Sequence, residues 1–522
     1  MALFVLVFGG LATLGVGTWL AFHLRDREPS LHWLRMAMPV LWCLFAIEVL
    51  EGILREPTLI WNEIRLSRSL ALLQGFHLYP DEHELGPVIG TLHPPISHYL
   101  FLPAAAIHDP TTSILAGSLL ACVVVFSALA FALVRSAPAV SGRWAITAVS
   151  FLFCGFLIVE SEGTFNTAFG IHTDAAALAF ATIACTFVSS RNRMTTASSV
   201  WMSAAACALA IASKQTIAPV ALAISLYVAI TEGRKRFALF LLAIVVTGGS
   251  ILAFLLFILP ARAFLFNTLV LAAHRPLKPG YLEILAGVYR MGRLEALPAL
   301  LPVLFLAISS WMAARPRREI RQFFATNRWM VFLMASAALV PVSMKAIVTV
   351  GADVNHLGFV LYFLFVAAGL AIQQYFTDAN PAARLSSRLF LATGILVSLA
   401  PGMALTVHAS LRNLRANASQ TAHTYNLRHP GLAYFPCNPM TSLLKDGKLY
   451  HLDSALYDRE LAGYPLTPKQ LRSGLPHSFI LVALPPGEQI HSEALQGLFA
   501  GFVRVTDPEL PGWTVYRRGR SA

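Results

Sequence analysis

Long apolar stretches recur along this chain at short intervals, and they constrain its fold more than any other feature. A helix crossing roughly 30 Å of hydrocarbon at 1.5 Å per residue needs about 20 mostly apolar residues. About twelve windows meet that need: 2–22, 36–54, 112–134, 144–160, 174–189, 197–213, 216–231, 237–259, 296–313, 329–344, 356–376 and 388–406. No Lys or Arg precedes the first window and no small-residue cleavage pattern closes it, so it reads as a span and not as a removed signal. Composition agrees, with 56% apolar and 13% charged residues against roughly 45–50% and about 25% in soluble domains. These values exclude a soluble enzyme, and the abundance of Leu, Phe and Val excludes disorder. The expected fold class is an all-α polytopic membrane protein over residues 1–406.

Charge then assigns the sides. One set of alternate loops holds Arg25, Arg27 and Arg35; Arg135 and Arg143; Arg191 and Arg193; Arg234, Lys235 and Arg236; Arg315, Arg317, Arg318, Arg321 and Arg328; and Arg384 and Arg388. The other set is longer and acidic. Because basic loops stay cytoplasmic, the reading is a multi-pass protein of the cell's inner (plasma) membrane with both termini extracytoplasmic. The net charge of +12 is thus a topology signal, and no nucleic-acid partner is expected.

Past residue 406 hydropathy falls, and strand-like runs such as Phe479–Leu484 and Trp513–Tyr516 alternate with Pro, Gly and charge. Residues 407–522 are therefore expected to form a small extracytoplasmic α/β domain. The six cysteines are scattered, with Cys437 alone in the tail, so neither a disulfide framework nor a CxxC zinc pair is predicted.

Polar residues gather on the outer side of the bundle. They lie at Trp61-Asn62-Glu63-Ile64-Arg65 with Arg68, Tyr79 and His93-Pro94-Pro95; at His172-Thr173-Asp174; at Ser213-Lys214-Gln215; between Arg262 and Arg293; and at Gly351–His356. Within the spans ionisable groups are nearly absent. Glu48 is the clearest exception, and it either pairs with Arg55 or faces the bundle interior. Carboxylates and cations at a membrane face suit transfer of a group from a lipid phosphate to an acceptor outside: a carboxylate takes the acceptor's proton or holds a metal, and cations stabilise the departing phosphate. Arg275, Lys278, Arg290 and Arg293, among Tyr281, Leu282, Ile284 and Leu285, are placed to meet an anionic head group.

The run Asn62-Glu63, Arg65, Arg68, Gly75, Leu78-Tyr79-Pro80 and His93-Pro94-Pro95 resembles the first outer loop of GT-C-type glycosyltransferases, in particular bacterial relatives of protein mannosyltransferases and aminoarabinose transferases. Thr173–Leu178 resembles that family's acidic span start, Ser213-Lys214-Gln215-Thr216 its Thr-Lys-Gln turn, and Gly351–His356 its Gly-x-x-x-Asn segment. The likeness covers most of residues 36–405. It departs in having Asn62 where the family has the first acid of an Asp-Glu pair, and in an extra span ahead of the family's first.

The resemblance implies a polyprenyl-phosphate sugar as donor, inversion at the anomeric carbon, and an extracytoplasmic glycan, lipid or protein as acceptor. Glu63 would be the base or a metal ligand and Asp174 a second acid; Arg65, Arg68, Tyr79, His93, Lys214, Arg275, Lys278, Arg290, Asp353, Asn355 and His356 would contact substrate. A divalent metal stays open, with Glu63, His172 and Asp174 as its possible ligands. The alternative is a transporter or flippase of lipid-linked glycans, which would be expected to show midplane charge and broken helices.

Overall fold

The computed structural model describes residues 32–137, 143–189, 196–313, 320–351, 354–376, 384, 388 and 417–519. Window 2–22, and 388–406 beyond Arg388, lie outside the described residues. Among the described residues, seven helices are long and apolar enough to cross a membrane, or eight if one bent pair is counted as a span. The chain is a mostly helical membrane protein with a small C-terminal sheet.

The principal helices of the bundle are α1 (His32–Arg55), α2 (Ile60–Leu73), α3 (Ile96–Leu100), α4 (Pro110–Ser136), α5 (Arg143–Glu160), α6 (Glu162–Phe169), α7 (Thr173–Ser189), α8 (Thr196–Ser213), α9 (Pro219–Glu232), α10 (Arg234–Ile258), α11 (Tyr281–Ala313), α12 (Met330–Ile347) and α13 (Gly358–Tyr375). Windows 197–213 and 296–313 correspond to shorter apolar helices, Ala197–Ser213 and Glu295–Ile308, the latter inside α11 with Pro298 and Pro302. Local chemistry sets the boundaries. Asp109 caps α4 by accepting from the Thr112 backbone N–H at 2.8 Å, and Pro110 occupies the first turn, where its missing N–H costs nothing.

Position in the bundle follows from how far apolarity extends around each helix. The apolar window of α13 is 83% buried and that of α10 only 11%. A helix apolar on all sides can be central or lipid-facing, so it is packing that places α13 inside and α10 at the rim. Gly358 opens α13 against α6, where a Cβ would collide with the Gly163 carbonyl oxygen. Glu48 is buried beside Glu160 and Glu51, while Arg55 lies over the Phe165 ring at 5.3 Å, so Glu48 faces the interior and is not the partner of Arg55.

Window 174–189 belongs to the bent pair: α6 and α7 meet at 97°. The break frees backbone groups that must find partners. One is satisfied from a distance, since Asn62 Oδ1 accepts from the Ile171 N–H at 2.8 Å while Asn62 Nδ2 donates to Glu56 O and Oε2 at 3.0 and 2.6 Å.

The tail contains helices α14 (Ala418–Arg428), α15 (Met440–Asp446) and α16 (Asp453–Leu461) and strands β1 (Ala433–Tyr434), β2 (Leu481–Leu484), β3 (Phe502–Val505) and β4 (Thr514–Arg518). Sheet order is β1-β2-β4-β3, with β1 parallel to β2 and the other pairs antiparallel. Phe435, Trp513 and Val515 anchor a small core, and Cys437 is buried without a disulfide.

The loop after α2 is threaded into this tail. Val88 donates to His451 Nδ1 at 3.0 Å, Gln470 donates to Glu82 O and Glu84 O, both at 3.0 Å, and Gln74 reaches Leu443 O at 2.9 Å. Tyr79, Val88 and Ile89 share one apolar cluster with Tyr434, Leu452 and Leu456. The tail is therefore packed against one end of the helical bundle.

Candidate functional site

A cavity of roughly 380 Å³ opens where the tail meets the bundle. The bundle side contributes Arg65 and Arg68 from α2, His93, Ser97 and His98 from the loop and α3, His172 and Thr173 at the α6–α7 bend, and Arg275. The tail contributes Ser454, Tyr457 and Asp458 from α16, and His491.

Helical spacing explains the first two cations. Arg65 and Arg68 lie three residues apart, so both project from one face of α2. The Nε atoms of Arg68 and Arg275 are buried without a hydrogen-bond partner among the described residues. Arg275 also bonds Asp458 Oδ1 through Nη2 at 3.0 Å. Desolvation, with Arg65 alongside, brings the Arg68 guanidinium down to about 10, which still leaves it charged at neutral pH.

The histidines near the two prolines are structural as well as lining. Tyr79 donates to His93 O at 2.8 Å, and His93 Nδ1 faces Gln215 Oε1 at 3.3 Å. Burial, aided by Lys214, holds the His93 ring well below its ordinary range, and burial pushes His98 down to about 3, so both imidazoles are neutral.

Behind the bend Lys214 and Asp174 pair at 2.5 Å, 0% and 1% exposed. The same Asp174 oxygen lies 2.5 Å from His172 Nδ1, which is also 3.3 Å from the Asp174 N–H. One nitrogen cannot donate and accept at once. The shorter contact to a carboxylate is the stronger, so Nδ1 carries the proton.

The remaining expected residues lie around and behind the cavity. Tyr79 is buried behind the loop. Lys278 caps the end of α12, donating from Nζ to Ile347 O at 3.0 Å, a helix C-terminus that favours a cation. Asn355 and His356 are half-buried in a turn ahead of α13, and His356 is within electrostatic reach of Lys214, Asp174, His172 and Arg275. Asp353 and the side chains of Arg290 and Arg293 lie outside the described residues.

Glu63, expected as the base, is not among the residues that line the cavity. It follows Trp61 on α2 but points to the other side of the helix from the cavity, is 0% exposed, and accepts from Asn438 Nδ2 at 2.5 Å and Met440 N at 3.1 Å. Its neighbours make it the anchor of the tail, and it does not reach the cavity wall. It also stands apart from His172 and Asp174: among the described residues no three His, Cys, Asp or Glu side chains group as metal ligands. That donor set does not fit a metal.

Sequence reasoning missed the tail's share of the cavity. Asp453, Ser454, Tyr457 and Asp458 share a face at i, i+1, i+4 and i+5 of a nine-residue helix, a spacing visible in the sequence but linked to the loop after α2 only by folding. No family model, curated protein or solved structure matches the chain.

Proposed function

We propose that the protein is a GT-C-type inverting glycosyltransferase that moves a sugar from a polyprenyl-phosphate donor to an extracytoplasmic glycan, lipid or protein acceptor. One observation carries the reading: a cavity at the end of the spans is lined by three guanidiniums, two of which keep a buried Nε–H with no partner among the described residues. Unpaired buried donors are costly, and a phosphate supplies the acceptors they lack, with bidentate geometry suited to arginine. The sequence motifs at Arg65, Arg68, His93 and Lys214 support the same reading, as do the basic loops that put this end of the bundle outside the cell. Twelve spans, with both termini extracytoplasmic, belong to it.

In this reading the donor phosphate meets Arg65, Arg68 and Arg275, and the Asp174–Lys214–His172 group fixes the bend that carries the wall. The growing charge on the leaving phosphate is what the guanidiniums stabilise. The transporter reading has one observation in its favour, the 97° break between α6 and α7, since broken helices build transporter sites.

Purified protein in lipid, given a panel of radiolabelled polyprenyl-phosphate sugars, separates the two. Turnover of a donor by wild type, lost in Arg68→Gln with the fold intact, supports transfer. No turnover, with accelerated movement of lipid-linked glycan across vesicles, supports transport instead.

A further inference from the structure

The tail wall of the cavity carries an aspartate–histidine pair with the geometry of a general base. Asp453, 3% exposed at its side chain, opens α16 and accepts at 3.1 Å from His491 Nδ1. Its oxygens also accept from the His491 backbone N–H at 3.1 and 3.0 Å and from the Ser492 N–H at 3.0 Å. Three donors on one buried carboxylate leave it little freedom, and they fix the imidazole tautomer: Nδ1 holds the proton and Nε2 is the lone-pair nitrogen. The ring is tilted against Tyr457 at 5.6 Å and is 38% exposed, among the residues that line the cavity. Among the described residues nothing hydrogen-bonds Nε2.

The two walls differ in chemistry. The bundle wall carries three guanidiniums, whereas the tail wall offers an imidazole, a phenol, a hydroxyl and the Asp458 carboxylate, which is already engaged by Arg275 at 3.0 Å. An inverting displacement needs cations on the leaving group and a base on the incoming hydroxyl, on different sides of the anomeric carbon. His172 has the same Asp–His arrangement but lies deeper, at 12% exposure, on the cationic wall.

We propose that His491, oriented by Asp453, is the base that activates the acceptor, and this rests on the transferase reading. The acceptor hydroxyl oxygen forms a bond to the anomeric carbon as the bond from that carbon to the donor phosphate oxygen breaks. The bonding pair leaves on polyprenyl monophosphate, held by the guanidiniums, and the hydroxyl proton passes to His491 Nε2 and then to water. Asp453 is a positioning residue, and Glu63 has no part in the step.

The test uses the full chain in lipid with whichever polyprenyl-phosphate sugar the wild type consumes. His491→Gln is expected to lower kcat about 100-fold or more, with the donor KM unchanged and the thermal midpoint kept; Asp453→Asn lowers kcat less. Log kcat/KM of wild type rises with unit slope on the acid side, and that limb is absent in His491→Gln. The charged and titratable groups around the ring are Asp453, Glu488 and Tyr457, with Asp458 and Arg275 on the cavity. Added imidazole restores turnover to His491→Ala. A His491→Gln variant that keeps its kcat within threefold, or keeps the acid limb, overturns the base assignment and leaves the transferase reading standing. A wild type that consumes no donor overturns both. Should the variants not fold, a wild-type profile flat on its acid side is enough to overturn the assignment.

Discussion

Glu63 and Asn438, 375 positions apart, meet at 2.5 Å in a site closed to water, and this contact ties α2 to the C-terminal tail. Burial pushes the Glu63 carboxyl up from 4.5 to about 7, although hydrogen bonds from Ser419, Asn438 and Met440 oppose the rise. The folded state therefore binds this proton more tightly than the unfolded chain, and stability falls as pH rises from about 4.5 through 7. Converting the shift gives about 3 kcal/mol. Thermal unfolding of the detergent-solubilised protein should show this decline, and Glu63→Gln should flatten it while keeping donor turnover. A variant that loses turnover with an unchanged unfolding profile would show that Glu63 takes part in the chemistry.

The buried Lys214–Asp174 pair predicts a different pattern. Removing either partner strands the other as an uncompensated buried charge, at a cost of about 3–5 kcal/mol. Lys214→Met and Asp174→Asn should each lower the thermal midpoint sharply. The double variant should recover much of the loss, and a double-mutant cycle measures the coupling.

Arg68 contributes a fork that no lysine reproduces. Arg68→Lys keeps the charge but loses the Nε–H that is buried without a partner among the described residues, so binding of a polyprenyl phosphate should weaken about tenfold, or roughly 1.4 kcal/mol. Arg68→Gln should weaken it further, and the salt dependence of binding should shrink in parallel. Vesicle-reconstituted protein and labelled lipid phosphate give the measurement; equal affinities for all three proteins would remove Arg68 from the phosphate site.

Arg275 and Asp458, 3.0 Å apart, join the loop beyond α10 to the tail. Arg275→Ala should speed amide exchange over Asp453–Leu461 and weaken phosphate binding together. Exchanging the two charges, Arg275→Asp with Asp458→Arg, should slow exchange again without restoring the binding. Hydrogen exchange read by mass spectrometry separates the docking effect from the site effect.

Asn62 marks a place where one residue type does two jobs. Asn62→Asp removes the donor that faces Glu56 and sets two acids together at the 2.6 Å contact. The expected loss is about 1–3 kcal/mol of stability, with the largest effect above neutral pH, where both acids ionise.

Much of the fold was legible in the residues. Apolar length located α1, α4, α5, α9, α10, α12 and α13, because hydrocarbon demands about 20 such residues wherever a helix crosses it. The strand-like run at 479–484 became β2 and that at 513–516 opened β4. Arg65, Arg68, His93 and Arg275 were legible as polar residues crowding one end of the bundle, and they share one cavity. The 97° break was not legible, since Asn62, which accepts from the Ile171 N–H at the turn, lies over a hundred positions earlier in the chain.

Helix spacing and the gathering of cations were set by the sequence itself, because each depends on periodicity and charge within some twenty residues. Direction was decided only by tertiary structure. Glu63 and Arg65 are two residues apart on one helix, so a helical step of about 100° per residue sends them to different faces. Whether each face meets a cavity or a covering domain depended on where the tail docked. That docking buried Glu63 against Asn438 and carried His491 to the cavity where Glu63 had been expected.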